Sequence, residues 1–509
     1  MEVNMRVTNT MLSNSAKSHI LNNKNKLLKY QEQYTSQQKI QRPSDDPVVA
    51  VRALKLRTTY AQIQQYTERN VRDAMEWMDM TEGAMTNAGK VLDSMKALLN
   101  QGNCDDLEVD QRNSIVQTLR KNVESIFQSE ANQDYSGRYL FSGYRTDTSL
   151  LFPSVTTNLQ YKIKENFSYD SFRNVTSVIG GASYNADITD GQEYITAQAF
   201  TATSYRLQLA YKDCAILDSF GEGFDPLDGQ SIVMTYTGQD GEETALEPEP
   251  KLSTESSDVR NIGEDDVVYF YDTGEILVGK NVFSAIQEAQ ASISIQYLKS
   301  DFDKFDVRPE MYFEAQSHDT ITNKTISYSE PEKQTINYEI NFSQTIDVNT
   351  QARDAFSTDI YRNIDYIEQT VKYVDETDIK LDEVKKMIDN STDESQIATL
   401  NSLKRALEDE KKLRVSVMAE AFGMGITMVD KVQEQLNVAL ADCGARYKRT
   451  ELTYDKLLDN RLDTEDKMSE NEGVDLPDVY INATQAENLY QASLQITSRV
   501  LGNSLLDYI

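Results

Sequence analysis

Histidine is nearly missing from this chain, with two in 509 positions. His19 sits on a polar helix and His318 stands alone, so neither a nucleophile–imidazole–acid set nor a His-rich metal site can be assembled. HExxH, Walker A, EF-hand and GxSxG elements are all absent. Gly221-Glu222-Gly223 and Gly423-Met424-Gly425 lack the third glycine and the strand-to-helix setting of a phosphate cradle. Cys104, Cys214 and Cys443 are odd in number and far apart, which excludes a disulfide framework and a zinc knuckle. Only 9 prolines, 21 glycines and one tryptophan occur, a composition that points toward helix. No apolar run approaches membrane-spanning length. Met1–Ser18 has neither an apolar h-region nor an A-x-A site, so Sec export is not signalled and an extracellular protein with this start needs another route. Bases are scarce: 51 Lys and Arg face 82 Asp and Glu, and the net charge of −31 argues against a phosphate backbone as target. Glu264-Asp265-Asp266 reads as a solvated loop, while Asn166-Phe167-Ser168 and Asn323-Lys324-Thr325 match glycosylation sequons. No catalytic, cofactor or metal site is expected.

What is present is helix. Met11–Gln41 places Ile20, Leu27 and Tyr34 at seven-residue steps, with Leu21 and Leu28 beside them and Asn, Gln and Lys between. Such a helix is marginal alone and gains its order from partners. Bases outnumber acids over Arg6–Arg57, which suits a helical face meeting acidic neighbours of the same protein. Arg42-Pro43-Ser44-Asp45-Asp46-Pro47 is a breaker followed by a start: Asp46 can cap the next helix, with Pro47 at its first position. From Val48 to Gln101 the pattern stays helical, and Val71, Met75, Met78, Met85, Leu92, Met95 and Leu99 form a core stripe. Leu107–Gln133 opens another helix, and Arg138–Tyr144 reads as a short strand with a turn.

Between Leu150 and Thr350 alternation and β-branched runs appear, at Gln230–Tyr236, Val267–Tyr271, Ile321–Ser327 and Thr335–Phe342, with Phe283–Leu298 expected as one helix inside them. Helix returns over Ala352–Asn390 and Asp393–Lys467, with a soft spot at Phe422–Gly425. Asn471-Glu472-Gly473 breaks it and Pro477 starts the last helix. There Ala483, Ala486, Tyr490, Leu494, Thr497, Leu501, Leu505 and Tyr508 follow one helical face. An apolar face that reaches the last residue without a cap expects cover from outside the monomer, most simply another copy. The fold class is therefore mainly α with a β-rich insert, a long antiparallel helical bundle built from N- and C-terminal segments. Residues 1–45 with 475–509 are expected as terminal helices unordered in the isolated chain, 46–150 with 351–474 as a helical core, and 151–350 as the outer insert.

Met5-Arg6-Val7-Thr8-Asn9-Thr10-Met11, Pro43-Ser44-Asp45-Asp46-Pro47, Gly137-Arg138-Tyr139-Leu140-Phe141-Ser142-Gly143-Tyr144 and the ending Ser504-Leu505-Leu506-Asp507-Tyr508-Ile509 together resemble the bacterial flagellar hook-associated protein 3 family, which is related to flagellin. Gly444-Ala445-Arg446 and Asn471-Glu472-Gly473-Val474-Asp475-Leu476 match the same pattern. The likeness covers residues 5–150 and 425–509 and implies a flagellin-like fold. Two features depart from the family: the insert with the charged run Ala352–Met418 is long, and Pro477 and Tyr480-Ile481-Asn482 interrupt the pattern expected before the final helix.

The resemblance implies a structural role without catalysis, in which the chain joins the hook-side junction protein to the filament by helical self-assembly. Implied partners are further copies in a homo-oligomeric ring, flagellin, hook-associated protein 1 and a flagellar export chaperone, with no nucleic acid, membrane or cofactor. The implied location is the extracellular flagellum, reached by type III export without a cleaved signal peptide. The assembly interface is expected to draw on Ile20, Leu27, Arg42, Asp45, Asp46, Tyr490, Leu494, Leu501, Leu505 and Ile509. Alternatives stay open at this point: a flagellin filament subunit, an adhesive surface protein that uses the insert, or an enzyme housed in the insert, against which the absence of HExxH speaks.

Overall fold

The computed structural model describes residues 9–104, 107–183, 195–196, 198–217, 227–238, 243–254, 260–329 and 334–501. Within them the helices run α1 (Asn9–Ser36), α2 (Pro47–Gln65), α3 (Val71–Gly102), α4 (Val109–Ser125), α5 (Lys280–Glu288), the short α6 (Pro309–Tyr312) and α7 (Ala352–Ala355), α8 (Asp359–Asn390), α9 (Glu394–Glu472) and α10 (Leu476–Leu501). A π-type turn follows α2 at Tyr66–Asn70 and another follows α4 at Ile126–Ala131. The described residues fall into two compact units, one drawn from 75–337 and 347–448, the other from 1–74, 338–346 and 449–509. This is a mainly α chain with a β-rich insert.

In the larger unit the methionine stripe is core. Met78, Met85 and Met95 on α3 are fully buried, as are Phe422 and Cys443 on α9, and the Cys443 thiol lies 3.6 Å from the Met78 carbonyl. The soft spot expected at Phe422–Gly425 is absent, because α9 runs through it unbroken. A Cβ on Gly425 would come within 2.7 Å of Ile367 Cδ1 and 3.2 Å of Leu99 Cδ2, so glycine there admits neighbouring side chains and is not a hinge. At the far end α8 and α9 form a helical hairpin around Leu381, Val384, Leu400, Leu403 and Leu407. Asp393 supports its turn by accepting a hydrogen bond from the Ser395 N–H at 3.0 Å.

The insert contains a six-stranded and a five-stranded sheet. The first is antiparallel in the order 324–328, 314–319, 159–168, 292–299, 232–237, 243–245. The second runs 251–253, 267–270, 275–278, 200–208, 173–179, with only its first pair parallel. Both contribute to one core that includes Tyr161, Ile163, Leu207, Tyr269, Ile276, Ile293 and Tyr297. Three local expectations need correction. Phe283–Leu298 is not one helix: α5 ends at Glu288 and Ser292–Lys299 is a strand whose Ile293, Ile295 and Tyr297 alternate into the core. Arg138–Tyr144 supplies only the strand Arg138–Tyr139, paired with Asp134–Tyr135. The strand expected from Ile321 begins at Lys324, after a turn.

The smaller unit holds α1, α2, α10 and the last part of α9. The residues 338–346 pack near its π turn: Tyr66 meets Phe342 edge-on at 5.4 Å, and Asn70 Nδ2 donates to the Glu339 carbonyl at 2.8 Å.

Candidate assembly interface

Inside the smaller unit α1 and α10 lie against each other, and the contacts show an antiparallel pair. Asn23 Nδ2 reaches the Leu489 carbonyl at 3.5 Å, while Tyr34 and Tyr480 have ring centroids 6.2 Å apart. The terminal segments, expected as terminal helices, are helical over these spans. Covered positions recur at alternating steps of three and four, the seam period of paired helices. On α1 they are Ser13, Ala16, Ile20, Asn23, Leu27 and Tyr30; on α10 they are Val479, Ala483, Ala486, Tyr490, Ser493 and Thr497.

Of the expected interface residues, Ile20, Leu27 and Tyr490 are therefore half-covered in the seam. Leu494 lies outside the seam, 42% exposed, and the neighbouring Ser493 is covered there instead. Two successive steps of four, as in Ala486, Tyr490, Leu494, turn about 80° round the helix and leave the seam. Leu501 ends α10 with its side chain outside the described residues, as are Leu505 and Ile509.

The remaining three, Arg42, Asp45 and Asp46, organise the entry to α2. Asp46 Oδ1 accepts from the N–H groups of Val48 and Val49 at 3.0 and 3.2 Å, with Pro47 in the first turn. These amides have no carbonyl partner in a helix, so a carboxylate before them satisfies the donors and meets the positive end of the dipole. Asp45 Oδ2 accepts from the Gln41 and Arg42 N–H groups at 3.1 and 2.9 Å, and these bonds, Arg42 first, hold its carboxyl below the usual carboxylate range. All three side chains are exposed.

Next to this loop the end of α9 joins the chain ahead of α2. The Lys39 N–H donates to the Glu472 carbonyl at 2.8 Å, the Val474 N–H to the Gln37 carbonyl at 3.2 Å, and Asn471 Nδ2 to the Val49 carbonyl at 3.2 Å. Arg57 grips Glu472 with both Nε and Nη2, the Nε bond at 3.0 Å, and this partner raises the Arg57 pKa. Gly473 sits where a Cβ would lie 2.5 Å from the Ser469 carbonyl oxygen, so the exit from α9 requires a residue without one.

Larger apolar side chains lie outside the seam. Leu21 and Leu28 on α1 are 48% and 44% exposed, and Leu489 and Ile496 on α10 are 57% and 62% exposed, each pair seven residues apart. A further row escaped the sequence reading: Val48, Val51 and Leu54 on α2 are 62%, 67% and 64% exposed. Its signal was present in Pro47-Val48-Val49-Ala50-Val51-Arg52-Ala53-Leu54, which is apolar on more than one side, where a single buried stripe would need fewer. Exposed apolar rows of this kind mark interaction surfaces. Among the described residues no helix is long and apolar enough to cross a membrane.

Comparison with known proteins supports the same end of the chain. Residues 7–146 match the bacterial flagellin N-terminal helical region. The chain is 26% identical over 145 residues to flagellar hook-associated protein 3 of Escherichia coli (strain K12), a stretch that is 28% of this chain and 45% of that protein. It is 25% identical over 145 residues, with the same coverage, to flagellar hook-associated protein 3 of Salmonella typhimurium (strain LT2). The chain thus spans less than half the length of these curated relatives. Among solved structures, a putative flagellar hook-associated protein from Vibrio parahaemolyticus aligns with 84% of this chain and 100% of its own at 11% identity and a TM-score of 0.35.

Proposed function

We propose that this chain is a structural subunit of the bacterial flagellum that joins the hook-side junction protein to the flagellin filament by helical self-assembly. The observation that carries the reading is the arrangement of α1 and α10: their seam mixes Ile20, Leu27, Tyr30, Val479 and Tyr490 with small and polar residues, while Leu21, Leu28, Leu489 and Ile496 stay open to a neighbour. The match of residues 7–146 to the flagellin N-terminal helical region supports the placement in a flagellum. The chain performs no chemical step.

In this reading 1–45 with 475–509 line an inner tube, 46–150 with 351–474 surround it, and 151–350 face outward. The interface comprises Ile20, Leu27, Tyr490, Leu494, Leu501, Leu505 and Ile509 from the helices, with Arg42, Asp45 and Asp46 setting the loop at a subunit boundary. Partners are further copies in a ring, flagellin, hook-associated protein 1 and an export chaperone, and delivery to the extracellular flagellum needs no cleaved signal peptide.

Electron microscopy of immunogold-labelled flagella tests it. A single labelled band at the hook–filament junction is expected. Label along the whole shaft would replace the junction role with that of a filament subunit, and label confined to the cell surface would point to the insert as an adhesin.

A further inference from the structure

One cleft runs against the electrostatic character of the chain. Its volume is about 60 Å³, and it lies in the larger unit where strands 173–179 and 200–208 meet the first turn of α8 and the middle of α9. Four basic side chains line it, Arg173, Arg206, Arg362 and Lys431, against one acid, Asp359. The whole chain carries 82 acids and 51 bases, so the local excess is opposite in sign to the global one.

Neighbouring carboxylates cancel only part of it. Arg206 pairs with Glu275 at 2.7 Å and also donates to Gln208 Oε1, but Glu275 is shared with Arg260, also at 2.7 Å. Arg362 is balanced: it pairs with Asp365 at 3.2 Å, Arg120 shares Asp365 and pairs with Glu368, and Arg362 Nε donates to the Ala210 carbonyl at 2.6 Å. Arg173 and Lys431 have no hydrogen-bond or ion-pair partner among the described residues.

The strand register sharpens the point. Arg173 and Arg206 are direct cross-strand partners, which brings two cations to facing positions with Cβ atoms roughly 5 Å apart, an arrangement that destabilises a sheet. Arg206 and Arg362 are also nearly buried, at 6% and 8% exposure, where water screens their charge poorly. An anion held between these groups would turn the repulsion into attraction. The amides of the first turn of α8, pointing the same way as its dipole, add to the positive potential.

We propose that this cleft binds a tetrahedral oxyanion, phosphate or sulfate, free or as the ester of a sugar. The donors come from two strands and two helices, hence from different directions. That geometry suits a tetrahedral group, whereas a single guanidinium fork suits a planar carboxylate. The site is independent of the helices assigned to assembly and involves no covalent step.

Isothermal titration and thermal unfolding of the full chain, at constant ionic strength set with sodium chloride, test the proposal. Inorganic phosphate, inorganic sulfate and glucose 6-phosphate are the three probes. Saturable binding with a rise in unfolding temperature is expected, and a stronger response to glucose 6-phosphate than to both inorganic ions would identify an ester as the ligand. Arg173→Gln has a signature of opposite signs: without anion it unfolds at or above the wild-type temperature, because the cross-strand repulsion is gone, yet it loses the anion-induced rise. Lys431→Gln, at an exposed position that leaves the fold alone, weakens binding roughly tenfold, as expected for one charge-assisted contact. The proposal is overturned by no saturable binding of any probe up to about 10 mM. It is equally overturned if chloride gives the same response as phosphate, or if both variants bind like the wild type.

Discussion

Replacing Leu21, Leu28, Leu489 and Ile496 together by alanine should separate assembly from folding. Complete burial of such a side chain is worth about 1.5–3 kcal/mol. At 48%, 44%, 57% and 62% exposure, about half of that remains to be gained at each position. Alanine keeps a small part of the gain, so roughly 0.8–1 kcal/mol per site is removed, or about 3–4 kcal/mol per subunit. At 1.4 kcal/mol per decade the association constant should fall by about 10²–10³. The folded monomer should change little, because each site is an exposed helical position where substitutions stay within about 0.5 kcal/mol and alanine is the best helix former. Circular dichroism melts report the stability of the folded monomer. Recovery of motility, and of label at the junction in a strain lacking the native protein, report association. Normal incorporation of the fourfold variant would refute the reasoning, and so would a melt showing a loss of several kcal/mol, since the side chains would then be packing within the monomer.

Glu165 in the insert is buried, accepts from the Ala210 N–H at 2.9 Å and from the Tyr297 hydroxyl, and burial pushes its pKa up to about 7. Raised from an unfolded value near 4.5, a carboxyl binds more protons folded than unfolded between those pH values, so its contribution to stability falls as pH rises from about 4.5 to 7 and is constant beyond. Glu165→Gln should therefore gain on the wild type by on the order of 3 kcal/mol between pH 4.5 and 8 in denaturant unfolding, and a constant difference would reject this. Gly423→Ala should stabilise by up to about 1 kcal/mol, because its Cβ meets nothing within 4 Å, whereas Gly425→Ala should destabilise by about 1–3 kcal/mol against Ile367 and Leu99. Equal melting temperatures for the two would remove the packing account of Gly425. Asp46→Ala should cost about 1 kcal/mol and Asp46→Asn nearly nothing, measured by chemical unfolding; equal losses would mean that the charge, not the cap, matters.

What was legible in the sequence followed how local its cause was. Asp46-Pro47 spells a cap and a first turn in two residues, and the structure puts both to that use. The methionine stripe of α3 and the β-rich composition of the insert needed only periodicity over a window. Ser292–Lys299 was misread because Ile293 and Tyr297, four apart and continuing from Phe283 and Ile286, also fit a helical spacing, although Ile293, Ile295 and Tyr297 alternate at a strand's period of two. Only pairing with strands 159–168 and 232–237 decides between the two periods. Gly423 and Gly425 look alike in sequence, and which of them touches Ile367 and Leu99 is settled by packing alone. On α10 it is the pairing with α1, and not hydrophobicity, that covers Ser493 and leaves Leu494 outside the seam.

The placement of Ser493 and Leu494 carries the physical point about the chain ends. A helix pair built for its own stability would place Leu494, Leu489 and Leu21 in the seam, since the apolar area removed from water would be largest there. Here Ile20, Leu27, Tyr30, Val479 and Tyr490 share the seam with Ser13, Ala16, Asn23, Ala483, Ala486, Ser493 and Thr497, while those three leucines stay outside. Small side chains let two helices approach closely while burying little area, so the pair alone offsets only part of the entropy of ordering helices of 28 and 26 residues. The leucines and isoleucine left outside hold the remaining gain, and they release it only when another surface covers them. Large apolar residues left outside a seam that is more than half small or polar therefore make full ordering of the ends depend on association, which is the coupling an assembling subunit requires.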